Sequence, residues 1–396
     1  MNIDFSFFLG LLGLVIVIFT LPGSVELLFL TLGAMLPKRT GNDMKEAPKS
    51  NLKLAIIIPA HNEEINIKET IASIKECSGE FTIVVVADNC TDDTALISSQ
   101  CGVRVLTRRD PTKIGKGYAL DYAFSTLLKE GFDLFLIVDA DTLVEKNLVS
   151  EVVLAFEQGA DALQTLHTII NPTRSLKMRL LNIAFLAFNY LRPESRMRWG
   201  ISTGISGNGF ALNRPTLLNV PYTITSIVED TAYHLRLVSK GYKVIFIDST
   251  KVLAESPPST AGILNQRSRW EGGRLRLLLD EAPLLLKQIL KGNFLLIEPL
   301  LDLLLLPLSY HALLLLLLLA IPFSIIRLYA LTGLGIILVH LLMAIKLGRG
   351  GMRDVLALAF SPFYLLWKIF ALQSILKAAQ KKWKWIRSER AKNDKR

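Results

Sequence analysis

The sequence predicts an α/β domain built on a parallel sheet and flanked by membrane-spanning helices. Three observations carry that prediction. Charge is the first: the chain of 396 residues has 45 Lys or Arg and 35 Asp or Glu. Yet residues 1–36 hold only Asp4 and Glu26, and residues 292–345 only Glu298, Asp302 and Arg327. Between these blocks, short runs of Val, Ile, Leu and Phe alternate with polar–apolar segments of helical length. That is the pattern of βαβ units whose strands are buried on both faces. Third, carboxylates follow three of the runs immediately, at the strand ends where open α/β sheets bind ligands. A wholly soluble protein, a disordered chain and a many-helix transporter are excluded.

Residues 5–25 are uncharged and long enough to span a bilayer. The preceding Met-Asn-Ile-Asp has no basic residue and no small-x-small site follows, so a signal peptide is not expected. Pro22-Gly23 is expected to kink or end the helix. Pro37-Lys38-Arg39 then sets the orientation: N-terminus outside, central domain cytoplasmic, the whole a multi-pass protein of the cell membrane.

In the central region, residues 54–58, 81–86, 103–106 and 134–138 read as strands, and 66–77, 92–100 and 116–129 as helices between them. Further on, a helix is expected over 231–240, ended by Gly241, then a strand over 243–247. Residues 176–191 are apolar and basic, as in a helix lying in the membrane interface. Cys77, Cys90 and Cys101 form no CxxC or disulfide framework and fit a reducing compartment.

Residues 303–326, with seven successive leucines, and 328–345 are the next candidate spans, and Lys346, Arg349 and Arg353 follow them. Residues 355–376, broken by Pro362 and Lys368, read as an interfacial helix, with a fourth crossing as the alternative. The tail 377–396 holds nine basic and two acidic residues with Trp383 and Trp385, an anchor for a membrane surface. No recognition motif accompanies this charge, so nucleic acid is not an expected partner. The expected organisation is a membrane helix (1–36), a linker (37–51) and a central domain with interface helices (52–291). Two membrane helices (292–346), an interfacial helix (347–377) and a basic tail (378–396) complete it.

The strand-end motifs are Pro59-Ala60-His61-Asn62-Glu63-Glu64, Ala87-Asp88-Asn89-Cys90-Thr91-Asp92-Asp93 and Asp139-Ala140-Asp141. Helix capping accounts for part of them, since Asn62, Thr91 and Asp92 are good N-caps. It does not account for carboxylates at three adjacent strand ends, whose repulsion a bound cation would relieve. Asp-x-Asp at a strand end suits Mg²⁺ or Mn²⁺ held by one or two carboxylates plus substrate phosphates. The chain has no GxGxxG, no P-loop, no GxSxG and no HExxH, so nicotinamide, P-loop nucleotide, hydrolase-elbow and zinc-protease chemistries are not indicated. Glu229-Asp230 reads either as first-turn helix carboxylates or as a general base. Gln266-Arg267-Ser268-Arg269-Trp270 reads either as an interfacial helix or as an arginine fork for a diphosphate beside an indole face for a sugar ring.

In this order, PAHNEE, ADNCTDD, GKGYAL, DAD, ED and QRSRW resemble the family-2, GT-A-fold membrane glycosyltransferases. These include bacterial cellulose, hyaluronan and poly-N-acetylglucosamine synthases. The resemblance covers about residues 52–276 and implies a Rossmann-like GT-A domain flanked by transmembrane helices. It implies that Glu63 and Asp88 contact the uridine of a UDP-sugar, that Lys116 lies near the nucleotide, and that Asp139 approaches the ribose or diphosphate. Asp141 would bind the Mg²⁺ or Mn²⁺. Asp230, with Glu229, would be the general base, although Val228 stands where the family has Thr. Gln266, Arg269 and Trp270 would close over diphosphate and acceptor. Ser206-Gly207-Asn208-Gly209 falls where these enzymes shape the acceptor pocket, without the family's usual Phe-Cys-Gly-Ser.

The implied reaction is inverting transfer of Glc or GlcNAc onto a growing exopolysaccharide or cell-surface glycan. Three spans make a narrow frame for a secretion channel, so either a partner or self-association completes it, or the acceptor is a lipid. An inactive membrane scaffold with a transferase fold is a third reading, which loss of a motif carboxylate would favour; none is lost.

Overall fold

The computed structural model describes residues 5–38, 51–224, 226–255 and 259–378. The basic tail with Trp383 and Trp385 lies outside the described residues. In chain order, α1 (Phe5–Met35) precedes β1 (Leu54–Ala60), α2 (Ile67–Lys75), β2 (Phe81–Asp88), α3 (Thr94–Gln100) and β3 (Arg104–Arg108). Next come α4 (Lys116–Leu127), β4 (Leu134–Ile137), β5 (Thr142–Val144), α5 (Leu148–Glu157) and β6 (Ala162–Ile169). Then follow α6 (Leu176–Leu186), α7 (Arg192–Trp199), β7 (Phe210–Asn213), α8 (Arg214–Asn219), α9 (Glu229–Ser239) and β8 (Val244–Ala254). The chain continues with α10 (Thr260–Leu290), α11 (Ile297–Leu304), α12 (Leu308–Leu318), α13 (Ser324–Leu347), α14 (Met352–Ala357) and α15 (Ser361–Ala378).

Two compact units result. One comprises residues 38–171 and 200–270, the other 1–37, 172–199 and 271–381, each within the described residues. Residues 172–199 and 271–290, expected inside the central domain, thus cluster with the helices instead.

The first unit is one eight-stranded sheet in the order β3-β2-β1-β4-β7-β6-β8-β5. β3, β2, β1 and β4 run parallel, as the βαβ pattern predicts. From β7 onward the sheet is mixed: β7 is antiparallel to both β4 and β6, β6 is parallel to β8, and β5 is antiparallel to β8. The sequence pattern covered only the parallel part, since β5 and β7 are three and four residues long, too short for a hydrophobic period to show. Leu54, Ala55, Ile56, Ile57 and Ile58 of β1 and Val84, Val85 and Val86 of β2 are essentially inaccessible, as expected of strands covered on both faces. A core of α2, α5 and strand side chains, including Ile67, Ile71, Ile74, Val149 and Val152, backs one face. The carboxyl ends of β1, β2 and β4 are thereby held in register for the loops that follow them.

In the helical unit, α1 runs on through Pro22 to Met35 rather than ending at Pro22-Gly23. Its buried face carries Thr20, Ser24 and Thr31, spaced to share one side of a helix. The Tyr329 hydroxyl lies 2.9 Å from both the Thr20 and Ser24 hydroxyls, Ser24 also meets His311 Nε2 at 3.1 Å, and Thr31 meets His340 Nδ1 at 3.0 Å. Glu26, fully buried, pairs with Arg196 of α7, which also binds Glu298 and, at 2.7 Å, Asp302. Arg192 and Arg274 bind Asp302 as well. Three arginines thus face three carboxylates, which accounts for most of the charges left in the apolar blocks.

Among the described residues two helices, α1 and α13, are long and apolar enough to cross a membrane. The expected single span over 303–326 is instead broken: residues 294–304 and 308–318 form a pair bent by 73°, with Pro307 at the start of α12 where its missing N–H costs no helical bond. Among the described residues the count of candidate spans is two, or three if the bent pair is one. In α15, Lys368 is buried and paired with Glu271 rather than breaking the helix, and Pro362 sits in its first turn, where proline is tolerated.

Candidate active site

The loops after β1 and β2 are laced to each other. Asn62 and Asn89 both adopt left-handed backbone (φ 57 and 51), which asparagine tolerates. The Thr91 N–H donates to Asn62 Oδ1 (2.7 Å), the Glu64 N–H to Asp92 Oδ2 (3.1 Å) and the Asp93 N–H to Glu64 Oε2 (3.1 Å). The Glu63 N–H donates to Thr94 Oγ1 at 2.7 Å. Asn62 therefore does not cap α2, whose N-cap is Asn66; it ties one motif to the other. Asp92 does serve the start of α3, accepting from the Thr94 N–H and hydroxyl.

Asp88 ends β2 and is buried. Strand register places it beside Arg108 of β3, whose Nη1 donates to Asp88 Oδ1 at 2.5 Å. Arg108 also donates to the Lys113 carbonyl (2.9 Å) and lies 5.7 Å from the Tyr118 ring centroid. Burial pushes the Asp88 carboxyl up, and Arg108 opposes the shift. Glu63 is buried too. Arg108 is absent from the sequence-based set, although a basic residue ending the third strand was a readable signal.

A second group forms around Lys116, the first residue of α4. Its ammonium binds Asp139 Oδ1 and donates to the Gly207 carbonyl at 2.6 Å. Burial would lower the lysine's pKa; Asp139 first, then Glu229 and Asp230, outweigh that and raise it. Glu229 and Asp230 open α9. Burial and the neighbouring Asp230 push Glu229 up to about 7 against the pull of Lys116. Burial raises Asp230 as well. Asp230 Oδ1 accepts from the Thr231 N–H at 2.7 Å, while its Oδ2 faces Gly207.

Lys116, Asp139, Glu229 and Asp230, distant in sequence, are thus one cluster. Gly117 makes this possible, because any Cβ there would collide with the Ile224 carbonyl in the segment leading to α9.

Residues 206–209 close the cluster from the β6 side. The Ser206 N–H donates to Gln164 Oε1 (2.8 Å), and Gln164 Nε2 donates to the Asn208 carbonyl (2.7 Å). Asn208 Nδ2 lies 3.5 Å from His167 Nε2, and burial pushes His167 down to about 4, leaving it neutral at physiological pH. Gln164 and His167 were not singled out from sequence, since neither belongs to a strand-end motif.

Asp141 follows β4 in the turn to β5. Among the described residues no three His, Cys, Asp or Glu side chains converge as a metal-holding group. An Asp-x-Asp turn offering only carboxylate oxygens fits a hard divalent cation that completes its shell with phosphate oxygens and water. Gln266, Arg269 and Trp270 lie on α10 at a spacing that puts them on one helix face. Gln266 and Arg269 are half-buried and Trp270 is 40% exposed.

Carboxylates gathered at the carboxyl ends of such a sheet mark a ligand-binding edge, and comparison with known proteins identifies the family. The family described as "Glycosyltransferase like family 2" matches residues 51–273. The chain belongs to this family. It is 27% identical over 263 residues to the probable glycosyltransferase YdaM of Bacillus subtilis, covering 63% of this chain and 61% of that one. It is 22% identical over 237 residues to the poly-beta-1,6-N-acetyl-D-glucosamine synthase of Staphylococcus aureus, covering 57% and 56%. The match spans less than two thirds of either relative. Among solved structures, the mannosyltransferase PcManGT of Pyrobaculum calidifontis, in complex with GDP-Man and Mn²⁺, superposes with a TM-score of 0.53. The identity is 17%, over 94% of this chain and 97% of that one. The shared fold is that of GT-A glycosyltransferases.

Proposed function

We propose that this glycosyltransferase moves Glc or GlcNAc from a UDP-sugar, with inversion, onto a growing exopolysaccharide or cell-surface glycan at the cytoplasmic face of the cell membrane. The observation that carries this reading is the gathering of Asp139, Glu229 and Asp230 around Lys116 at the carboxyl end of the sheet. Glu63 and Asp88 hold the uridine, with Arg108 fixing the Asp88 carboxylate. Asp141 would hold Mg²⁺ or Mn²⁺, which when bound neutralises charge on the diphosphate, and Asp139 approaches the ribose or diphosphate.

Asp230 takes the proton from an acceptor hydroxyl as that oxygen attacks the anomeric carbon. The bond to the diphosphate breaks, UDP leaves, and attack from the opposite face converts an α-donor into a β-linkage. Gln266 and Arg269 receive the departing diphosphate, and Trp270 offers its indole face to the acceptor sugar. Lys116 favours the ionised form of Glu229 and Asp230 against the upward push of burial. General-base catalysis of this kind contributes on the order of 10²–10⁴-fold. Asp141→Asn and Asp230→Asn, assayed in membranes with labelled UDP-sugar, are each expected to abolish transfer. Full activity in either variant sinks the assignment.

α1, the bent pair α11–α12 and α13 serve as three membrane crossings in this reading, with the N-terminus outside and the sheet unit in the cytoplasm. The small number of candidate crossings among the described residues supports a second reading, transfer of one sugar to a lipid acceptor, since two or three apolar helices enclose little room for a polymer unless copies or a partner complete the channel. Incubating membranes with labelled UDP-Glc and UDP-GlcNAc, then separating lipid-extractable from polymeric product, distinguishes the two.

A further inference from the structure

The loop 206–209 resembles an acceptor-pocket element in sequence, but the Asn208 side chain is turned elsewhere. It is 1% exposed, and its amide spans the Asp139-Ala140-Asp141 turn. Asn208 Oδ1 accepts from the Asp139 N–H at 3.1 Å, and Asn208 Nδ2 donates to Thr142 Oγ1 at 2.9 Å. A peptide N–H can only donate, so the amide oxygen must face Asp139, and the NH₂ is left for Thr142. The two partners bracket the turn on either side. Thr142 is itself fully buried.

Asn208 is in turn held from behind. Buried Gln164 grips the Asn208 carbonyl and the Ser206 N–H at once. The Gly209 N–H donates to the Ile137 carbonyl at 2.9 Å, and the Gly209 carbonyl accepts from Thr165 through both its N–H and its hydroxyl. The amide therefore acts from a fixed base and not from a free loop.

We propose that Asn208 is a positioning residue for the cation-binding turn: by bridging the Asp139 N–H and the Thr142 hydroxyl, it holds the turn between them in the orientation in which Asp141 receives a divalent cation. This rests on the reading of Asp141 as a cation ligand. Groups that orient a metal-binding residue without touching the ion typically contribute 10–100-fold to metal affinity. Three substitutions separate orientation from packing. Thr142→Val is isosteric and deletes one end of the bridge. Asn208→Ala deletes both. Asn208→Asp keeps an oxygen for the Asp139 N–H and presents a second one to which the Thr142 hydroxyl can donate.

The full-length protein in detergent would be titrated with Mn²⁺ in the presence of saturating UDP, with free Mn²⁺ followed by electron paramagnetic resonance and melting temperatures measured in parallel. Thr142→Val and Asn208→Ala are expected to weaken Mn²⁺ binding by about 10–100-fold, and Asn208→Asp to retain it. If Asn208→Ala does not fold, Thr142→Val alone decides. Wild-type affinity in a folded Thr142→Val variant overturns the proposal, and so does loss of affinity in Asn208→Asp equal to that in Asn208→Ala. When Asp141→Asn abolishes Mn²⁺ binding while Thr142→Val leaves it intact, the positioning role fails and the cation site stands. Absence of Mn²⁺ binding by the wild-type protein overturns both.

Discussion

Gly207 offers the sharpest test of the cluster, because one methyl group there addresses one carboxylate. Gly207 has φ +79, and a Cβ built on it lies 2.9 Å from Asp230 Oδ2, 3.5 Å from Cγ and 3.7 Å from Cβ. Optimal heavy-atom contact is about 3.5–4.0 Å, so Gly207→Ala requires a shift of roughly 0.5–1 Å. The loop cannot readily supply it. Lys116 holds the Gly207 carbonyl, and Gln164 holds the residues on either side. Asp230 must therefore move. A misplacement of about 1 Å at a reacting group costs about 10²-fold in rate, while the left-handed backbone adds about 1–2 kcal/mol of destabilisation for an L-residue. Initial rates of transfer from labelled UDP-sugar by purified protein should show kcat down about 10²-fold with KM for the donor little changed, since the uridine-side loops are untouched. A Gly207→Ala enzyme that folds and keeps wild-type kcat refutes the placement of Asp230 at the reacting centre.

Two further predictions use the same charges. Lys116→Met removes the cation that lowers both Glu229 and Asp230. A base must be ionised to act, so activity is lost as pH falls through its pKa. With that pKa raised, the acidic limb of the kcat–pH profile should move up by about 1–3 units, and Lys116→Arg should move it less. An unshifted limb in Lys116→Met argues against this electrostatic role. In the helical unit, Arg196→Met leaves Glu26, Glu298 and Asp302 without their shared partner. Removing one side of a buried ion pair costs about 3–5 kcal/mol, and thermal unfolding in detergent should show it. Glu26→Gln keeps an acceptor for Arg196 and should be much milder.

The parallel half of the sheet was legible because β1, β2 and β4 are buried on both faces and read as continuous apolar runs. So were the strand-end acids, whose place follows from the topology. The mixed half was not. β7 carries only Phe210–Asn213, and a four-residue strand is recognised through its partners rather than its own period. The broken helix at 305–307 was hidden for a different reason: seven leucines in a row satisfy any hydropathy window, while the bend is set by Pro307 and by neighbours the window does not see. Glu26 looked stranded in an apolar helix because its partner Arg196 lies 170 residues away. Arg108 and Gln164 escaped for the same reason, since each acts on a motif from another strand.

Arg108 and Lys116 also change what the acidic motifs imply. Carboxylates at three adjacent strand ends appear from sequence to need an external cation, but the fold supplies two cations of its own, Arg108 at Asp88 and Lys116 at Asp139. Repulsion among the strand-end acids therefore does not by itself demand a metal. The case for one narrows to Asp141 and to oxygen-donor chemistry that substrate phosphates would complete. It also separates the two aspartates of the motif. Asp139 is engaged by Lys116, which anchors it toward Gly207 and the base, whereas Asp141 lies past the strand in the turn that Asn208 and Thr142 bracket. Within the proposed mechanism, Asp139 then belongs to the lysine-centred cluster that serves proton transfer, and Asp141 to the cation. On that division Lys116→Met should disturb the pH profile more than Mn²⁺ affinity, and Thr142→Val the reverse.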